Sequence, residues 1–193
     1  MILGPGDRLP QRPSRIVVAG TSGSGKTTLS AAIAAVLDLE HVEIDALFHG
    51  PDWTPREAFE LDVATFIERP SWVTEWTYGL VRDRVADRAD LVIWLDLPRH
   101  MVMRQVIERT LRRRCQREVL WNGNIEPPIH RIVLDKDHIV RWAWKTHHQT
   151  AVRIDRLIER RPELNVVRLR SRSEVNQWAS GSLVDVRERW GGY

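Results

Sequence analysis

The sequence predicts an α/β fold in which a five-stranded parallel sheet is flanked by helices. Short apolar runs recur along the 193 residues, helical patterns fill most of the gaps between them, and the runs are continuous rather than alternating. Continuous apolar strands are typical of a sheet that is covered on both faces. Strands that alternate with helices form parallel sheets through right-handed crossovers. A chain of this length is expected to fold as one domain.

The predicted strands lie where apolar runs are bounded by turn residues. In chain order they cover residues 15–20, 41–45, 71–76, 90–97 and 164–169. The first gap holds an Ala- and Leu-rich helix over residues 26–37. The second gap holds a helix over residues 55–68, with Thr54 as its N-cap. Pro98 opens a third helix that runs through a group of arginines, and an apolar stripe before Pro162 predicts a last helix ahead of the fifth strand.

Domain boundaries are predicted where this alternation stops. Residues 1–14 contain three Pro and two Gly, which favour a flexible lead, and residues 15–180 form the folded domain. Residues 181–193 are interpreted as a C-terminal tail. After the fourth predicted strand, residues from about 115 to 135 show no periodicity, so we interpret them as a lid insertion.

Composition excludes several classes of function. No apolar run is long enough to cross a membrane and the first residues lack a secretory signal, so we expect a cytoplasmic protein with no membrane partner. The single cysteine, Cys115, has no partner for an internal disulfide. A net charge of +3 is low for a protein that coats nucleic acid, which argues against such a partner. The 26 arginines are clustered instead: seven lie between Arg99 and Arg117 beside one acid, which predicts a local anion site.

The segment GTSGSGKT at residues 20–27 matches the phosphate-binding pattern G-x-x-x-x-G-K-[ST] between a predicted strand and a predicted helix. Glycines let successive backbone N–H groups point at one anion, and the start of the helix adds its positive end. Lys26 is expected to reach the β- and γ-phosphates of ATP, and the Thr27 hydroxyl to ligate Mg²⁺. The expected nucleotide-binding residues of this segment are Gly20, Ser22, Gly23, Ser24, Gly25, Lys26, Thr27 and Thr28. A preference for ATP over GTP does not follow from the pattern.

Further motifs resemble the nucleoside-monophosphate kinase group of P-loop proteins, and more closely the adenylate-kinase-like family of topology modulation proteins. The resemblance is carried by GTSGSGKTTLS, EIDALFHGPDWTPREAF, SWVTEWTYG, ADLVIWLDLPRHMVMRQVIERTLRRR, EVLWNGN, IVRWAWKTHHQT and VVRLRSRSEV, and it covers residues 15 to about 179. It implies a small P-loop kinase with an acceptor region after the second strand, a lid after the fourth and an adenine loop after the fifth. Where many members carry Asp-Gly-Asn-Tyr, this chain reads Glu75, Trp76, Thr77 and Tyr78, which implies a different acceptor.

Three carboxylates lie at the ends of predicted strands, at the edge where open α/β sheets bind ligands. Asp45 is a candidate to orient the acceptor hydroxyl, to accept its proton or to hold a magnesium-bound water, with capping of the next helix as the alternative. Glu75 is a candidate for a magnesium-water or base role, or else a buried structural acid. Asp96 ends a Walker B-like run, but we interpret it as structural or helix-capping. Pattern alone does not decide which of the three serves magnesium.

Arginines and aromatic residues complete the candidate site. Arg109, Arg112 and Arg113 share one face of a helix, and at least two of them are expected to contact the transferring phosphoryl group, with Arg109 and Arg113 assigned as catalytic. Arg172 or Arg170 is a candidate to stack on adenine, with an ordinary surface-loop arginine as the alternative. The candidate acceptor walls are Phe48, His49 and Trp53, Trp121 is expected to close over the acceptor, and Trp142 is expected to pack in the core.

These patterns predict an ATP- and Mg²⁺-dependent phosphotransferase that acts on a small acceptor such as a nucleotide or a nucleoside. The expected partners are therefore ATP and that small-molecule acceptor. The alternative is a nucleotide-dependent regulator or a DNA-associated ATPase without a small-molecule acceptor. A kinase that modifies an antibiotic is a third possibility that the residues do not separate from a metabolic kinase. Neither the acceptor nor the oligomeric state follows from the sequence.

Overall fold

The structure is a computed structural model that describes residues 1–116, 118–125 and 144–190. Its strands are β1 Ile2–Leu3, β2 Arg15–Gly20, β3 His41–Val42, β4 Trp72–Glu75, β5 Leu91–Leu95 and β6 Asn165–Leu169. The helices used below are α1 Lys26–Leu37, α2 Ile44–Phe48, α3 Phe59–Phe66, α4 Arg82–Arg88, α5 Arg99–Cys115, α6 Gln149–Arg160, α7 Arg172–Ser180 and α8 Ser182–Trp190. Short 3₁₀ turns cover Pro51–Trp53 and Trp121–Gly123.

A parallel sheet forms the centre of the fold, as predicted. Its strand order is β1-β6-β5-β2-β4-β3, and every neighbouring pair is parallel. Side chains of consecutive residues of β2 lie on opposite faces of the sheet. Val17 belongs to the core formed with α3, α4 and α6, and Val18 to the core formed with α1, α7 and α8. Both faces are therefore covered, which is why the strands read as continuous apolar runs.

The sheet has six strands, so the prediction of five was wrong. The additional strand, β1, lies inside the segment that composition marked as a flexible lead, and Ile2 pairs with Val166. The N-terminal ammonium donates to the Leu164 carbonyl at 2.9 Å, and Leu9 of the same segment is buried. A two-residue strand leaves almost no periodicity in a sequence. Its position is instead determined by the edge of β6, whose backbone groups need partners.

Two predicted boundaries near residue 50 were wrong. β3 ends at Val42 and α2 begins at Ile44, so Asp45 lies in the first turn of a helix and not at the end of a strand. The helix expected from Pro55 begins only at Phe59, and its N-terminus has no side-chain cap. The Thr54 hydroxyl donates instead to the Pro51 carbonyl at 2.7 Å, which closes the turn before it.

The arginine-rich helix and the predicted lid differ in how far the structure describes them. The arginine-rich helix follows Pro98 as predicted. Of the predicted lid, residue 117 and residues 126–135 lie outside the described residues, as does Trp142, so its core role is still a prediction. In the part of the lid that is described, Val119 and Ile125 form an antiparallel bridge around the second 3₁₀ turn. Among the described helices, none is long and apolar enough to cross a membrane.

Candidate active site

The candidate site lies at the carboxyl end of β2, where the chain changes its direction across the sheet. β2 is flanked by β4 on one side and by β5 on the other, which makes this position the topological switch point. Ligands of open α/β sheets bind in the crevice at such a point. The segment 20–27 leads from β2 into α1 here, and we call it the phosphate loop.

The phosphate loop requires glycine at two positions. Gly23 and Gly25 have φ angles of +82° and +96°, in the left-handed region that favours glycine. A Cβ on Gly23 would lie 1.9 Å from a methyl carbon of Val106 in α5, so the backbone of the loop packs directly on that helix. Gly25 is the N-cap of α1 and offers no side chain to the first N–H groups, which remain available to an anion.

Lys26 lies inside this loop. Its Nζ donates to the Thr21 carbonyl at 3.1 Å. Burial lowers the pKa of Lys26 to about 8, Asp45 and Glu75 oppose this shift, and Arg109 adds to it. Asp45, Glu75 and Arg109 therefore each lie within electrostatic range of Lys26. We call Lys26, Asp45, Glu75 and Arg109 the charged cluster, and it contains four of the five residues that the sequence suggested as catalytic.

The hydroxyl residues of the phosphate loop differ in exposure. Ser24 is fully buried, its hydroxyl lies against Gly20, and its backbone N–H donates to the Thr21 carbonyl at 3.1 Å. Its hydroxyl is therefore closed off from solvent, and it has no hydrogen-bond partner among the described residues. Ser22 and Thr27 are partly exposed and Thr28 is exposed, so these three are accessible to a ligand from solvent.

Glu75 lies at the end of β4 and is almost completely buried, at 3% exposure. One carboxylate oxygen contacts Nε2 of His41 at 2.8 Å, and the other accepts the backbone N–H of Ile44 at 3.3 Å. Both oxygens are thus engaged in joining β4 to β3 and to the start of α2. Sequence reasoning missed His41, and the signal that could have identified it is its position on the neighbouring predicted strand.

Asp45 is held by Tyr78, which sequence reasoning quoted in a motif but gave no role. The Tyr78 hydroxyl donates to Oδ1 of Asp45 at 2.7 Å and lies 3.1 Å from Nε2 of His49. Burial, the Asp45 carboxylate, the hydrogen bond to it and the charge of Glu75 all raise the pKa of Tyr78, in that order. Burial lowers the pKa of His49, against the influence of Asp45.

Five rings surround this contact, and we call them the aromatic cluster: Phe48, His49, Trp53, Tyr78 and Trp121. The Phe48 and Tyr78 rings stack with centroids 4.0 Å apart, and the His49 and Trp121 rings are nearly parallel at 6.0 Å. The cluster thus contains all three predicted acceptor walls together with Trp121.

Trp121 reaches the cluster because two turns are joined, and we call the segments 50–54 and 120–125 the turn pair. Asn124 is buried, accepts the backbone N–H of Trp53 at 3.0 Å and donates to the Gly50 carbonyl at 2.8 Å. The Trp121 indole N–H donates to Glu43 at 2.6 Å. Asp52 and Asn122, the central residues of the two turns, have the same left-handed backbone conformation, with φ +55° and ψ +33°.

The predicted phosphate-binding arginines occupy different surroundings. Arg109 belongs to the charged cluster, whereas Arg112 is exposed. Arg113 lies with its guanidinium 5.9 Å from the ring centre of Trp121 and 3.5 Å from Glu118, beside the aromatic cluster. A Cβ on Gly25 would lie 3.1 Å from a guanidinium nitrogen of Arg172, so that side chain covers the phosphate loop directly. Arg172 also donates to Gln105 of α5 at 2.6 Å.

Asp96 is engaged away from the phosphate loop. Arg168 of β6 donates two hydrogen bonds to its Oδ2, with the Nε contact at 2.8 Å, and the guanidinium lies over the ring of Trp94 at 4.4 Å. Asp96 is therefore paired with Arg168, which agrees with its interpretation as a structural residue. The helix that follows has Pro98 as its N-cap and no side-chain cap, so the helix-capping alternative was wrong.

A groove of about 320 Å³ lies at the opposite edge of the sheet, near the start of β2. Its polar groups already serve the fold: Asp90 accepts the backbone N–H groups of Ser14 and Arg15, and Arg161 donates to carbonyls at the end of α4. This groove is therefore structural.

The fold is similar to that of known kinases. No protein-family model matches this sequence, and no curated protein matches it. A shikimate kinase from Acinetobacter baumannii, solved in complex with shikimate, aligns with a TM-score of 0.50 and 13% identity over 91% of this chain and 89% of that chain. An unliganded sugar kinase from Janibacter sp. HTCC2649 aligns with a TM-score of 0.49 and 20% identity over 94% of both chains. A gluconokinase from Sinorhizobium meliloti 1021 aligns with a TM-score of 0.49 and 19% identity over 95% of this chain and 99% of that chain. At this identity the likeness to the shikimate kinase shows the fold alone, a parallel α/β sheet with flanking helices.

Proposed function

We propose that the protein is an ATP- and Mg²⁺-dependent phosphotransferase that moves the γ-phosphoryl group to a hydroxyl of a small acceptor. The observation that carries this proposal is the phosphate loop, in which Gly23 and Gly25 have left-handed φ angles and the Lys26 ammonium donates to the Thr21 carbonyl. Two carboxylates and one arginine of the charged cluster act on that ammonium. Phosphoryl transfer needs cations for the phosphates and a carboxylate for the acceptor hydroxyl, close together but on different elements.

The phosphate side is formed by the loop, by α5 and by the start of α7. Backbone N–H groups at residues 23–28 and the N-terminus of α1 hold the phosphates. Lys26 leaves the Thr21 carbonyl and contacts the β- and γ-phosphates. Arg109 stabilises the charge on the transferring group, and Arg172, which lies on Gly25, adds a planar cation beside the loop.

Magnesium fits the same position. The Thr27 hydroxyl, partly exposed at the start of α1, would hold the ion, and hard oxygen ligands of this kind suit Mg²⁺. When bound, the ion neutralises charge on the β- and γ-phosphates.

Asp45 is the proposed base for the acceptor. Glu75 is the weaker candidate because both of its oxygens are engaged, by His41 and by the Ile44 N–H. Only Oδ1 of Asp45 accepts from Tyr78, so Oδ2 is the oxygen that we assign to the acceptor hydroxyl. Glu75 then acts through its negative charge and by fixing the start of α2.

The narrower proposal concerns the acceptor. The aromatic cluster beside Asp45 supports an acceptor with a planar ring, because such rings stack on aromatic side chains. This agrees with the motifs that resemble adenylate-kinase-like proteins, and it favours a nucleotide or a nucleoside. The solved structures reported above include a sugar kinase, a gluconokinase and a shikimate kinase. Polyols are therefore the second class of acceptor to test.

The test is transfer of label from γ-labelled ATP with Mg²⁺ to a panel of nucleoside monophosphates, nucleosides, sugars, gluconate and shikimate. We expect one class to be labelled by the wild-type protein, with no transfer by Lys26→Met and a loss of about 100-fold or more in Asp45→Asn. Asp52→Asn is the matched control, because this exposed acid lies in the turn pair and Asn accepts its left-handed conformation. ATP binding with only slow hydrolysis and no labelled acceptor would contradict the proposal and favour a nucleotide-dependent regulator.

A further inference from the structure

We propose that Tyr78 is a positioning residue that holds the Asp45 carboxylate in the orientation needed for proton transfer, and that His49 fixes the direction of the Tyr78 hydroxyl. This inference rests on the proposed function, since it assigns a task to Asp45. It goes beyond that function because it concerns two residues that contact neither the phosphates nor the reacting atoms.

Proton counting determines the direction of the hydrogen bonds. The Tyr78 hydroxyl has one proton, and the Asp45 carboxylate can only accept, so this proton lies between Tyr78 and Oδ1 of Asp45. The 3.1 Å contact between the Tyr78 oxygen and Nε2 of His49 must then be donated by His49. The chain of donors therefore runs from His49 to Tyr78 to Asp45.

His49 is suited to this task in its neutral form. Burial lowers its pKa, so at neutral pH the imidazole carries one proton, and the hydrogen bond to Tyr78 places that proton on Nε2. Nδ1 is buried and makes no hydrogen bond of good geometry among the described residues, while a contact of the ring with the Trp53 backbone opposes the fall of the His49 pKa. The proton is therefore assigned to Nε2 from the Tyr78 contact.

The backbone supports the same conclusion. Tyr78 has a φ angle of +49°, which is uncommon for a residue with a Cβ and costs free energy. Its ring stacks on Phe48 and meets Phe59 edge to face at 5.3 Å, and its carbonyl accepts the N–H of Arg82 at the start of α4. Packing and backbone contacts thus hold Tyr78 in this conformation, in which its hydroxyl donates a hydrogen bond to Asp45.

The held carboxylate has one oxygen left for chemistry. In the transfer, the acceptor oxygen forms a bond to the γ-phosphorus while the bond from that phosphorus to the bridging oxygen of ADP breaks. The acceptor proton moves to Oδ2 of Asp45, and ADP leaves with the bonding electron pair. The other charged groups that act on this site are Lys26 from the phosphate loop and Glu75 from β4. Without Tyr78, the carboxylate can rotate, and its charged form loses one hydrogen bond.

Kinetics of Tyr78→Phe on the acceptor that the panel identifies give the first test. We expect kcat to fall by about 10- to 100-fold with the acceptor KM within about 2-fold, because the ring remains and only the positioning hydroxyl is lost. A loss of kcat smaller than about 3-fold, or a rise of the acceptor KM as large as the fall of kcat, would overturn the inference.

Two His49 variants give a matched comparison, because both lose the imidazole ring. His49→Gln keeps an N–H donor for Tyr78 and should retain more of kcat than His49→Ala, which should resemble Tyr78→Phe. Equal losses in the two variants would contradict the part assigned to His49. Thermal unfolding of all three variants checks that each one is folded.

Nitrogen-15 spectra of the histidine side chains separate this inference from the proposed function, since they need no acceptor. Wild-type His49, assigned through His49→Gln, should show a proton on Nε2 and an unprotonated Nδ1 near neutral pH. The opposite tautomer would overturn the inference even in an active kinase. The expected tautomer in a protein that transfers no phosphate would contradict the proposed function and, with it, the task of Tyr78.

Discussion

Asn124 donates its side-chain amide to the Gly50 carbonyl at 2.8 Å, although 74 residues separate the two in the chain. The same amide accepts the Trp53 N–H through its oxygen. If the side chain were removed, the Gly50 carbonyl would lose its partner in a buried position and the Trp53 N–H would lose its partner in a partly buried one. This one side chain therefore makes two of the hydrogen bonds that join the turn pair, beside the one from the Trp53 indole N–H to the Ile125 carbonyl.

We expect Asn124→Ala to lower the free energy of unfolding by about 2 kcal/mol, because it leaves a buried acceptor and a partly buried donor unpaired. Urea denaturation followed by tryptophan fluorescence measures this change. Asp52→Asn is the control: this residue is exposed, keeps its left-handed conformation as Asn, and should cost less than about 0.5 kcal/mol. Equal effects of the two changes would contradict the assignment of Asn124.

Gly23→Ala should abolish nucleotide binding. The added methyl carbon would lie 1.9 Å from Val106 on a backbone with φ +82°, so the loop would have to leave α5. Calorimetric titration with ATP should show at least about a tenfold loss of affinity. The control is Gly79→Ala, where the added carbon would only meet Arg82 at 3.9 Å. Retained affinity in Gly23→Ala would show that the loop does not hold the nucleotide in this conformation.

Affinity for ATP should fall at alkaline pH. Burial lowers the pKa of Lys26 to about 8, so the ammonium that binds the phosphates is lost as the pH rises through that value. Below pH 8 the affinity should be nearly constant, and above it the dissociation constant should rise by about tenfold per pH unit. Lys26→Met should bind weakly at every pH without this break.

Asp45→Asn should move the same break to lower pH. The Asp45 carboxylate raises the pKa of Lys26, and the amide removes that influence. The measurement is again the dissociation constant of ATP between pH 6 and pH 10. A break at unchanged pH would mean that Asp45 does not act on Lys26.

Tyr78 should resist ionisation. Burial and the neighbouring carboxylates raise its pKa, and the chain has only one other tyrosine, Tyr193. In a Tyr193→Phe protein we expect no phenolate absorbance at alkaline pH until the protein unfolds. Adding Asp45→Asn should bring the ionisation to lower pH, because it removes a negative charge and an acceptor. A normal phenolate titration in the folded single variant would contradict the Tyr78 environment.

Asp96→Asn should distinguish this carboxylate from a magnesium ligand. Its partner is Arg168, and both side chains are partly exposed, so the cost in unfolding free energy should be about 1 kcal/mol or less. Transfer activity should remain within about threefold of wild type. A loss as large as that of Asp45→Asn would instead assign Asp96 to magnesium.

Local patterns predicted the parts of the site that depend on local structure. The phosphate loop and the end of β4 follow from residues that are adjacent in sequence, so Lys26 and Glu75 were found at the expected edge of the sheet. Contacts across long stretches of chain were not predictable in this way. His41 meets Glu75 over 34 residues, and Tyr78 meets Asp45 over 33 residues. Such pairs depend on strand order and on the start of α2, which was predicted as part of a strand.

The strand β1 was missed for a related reason. Its two residues carry no period, and their pairing exists only because β6 forms an edge more than 160 residues later. Composition described residues 1–14 correctly as rich in Pro and Gly, but composition does not report a partner that is distant in the chain.

The turn pair has a consequence for redesign of acceptor choice. A loop graft that replaces residues 50–54 alone would bring a foreign backbone against Asn124 and Trp121. A graft that replaces residues 120–125 alone would remove the hydrogen-bond partners of Trp53 and Glu43. The two segments therefore form one exchangeable module, and a change of selectivity at this site requires transplanting both together.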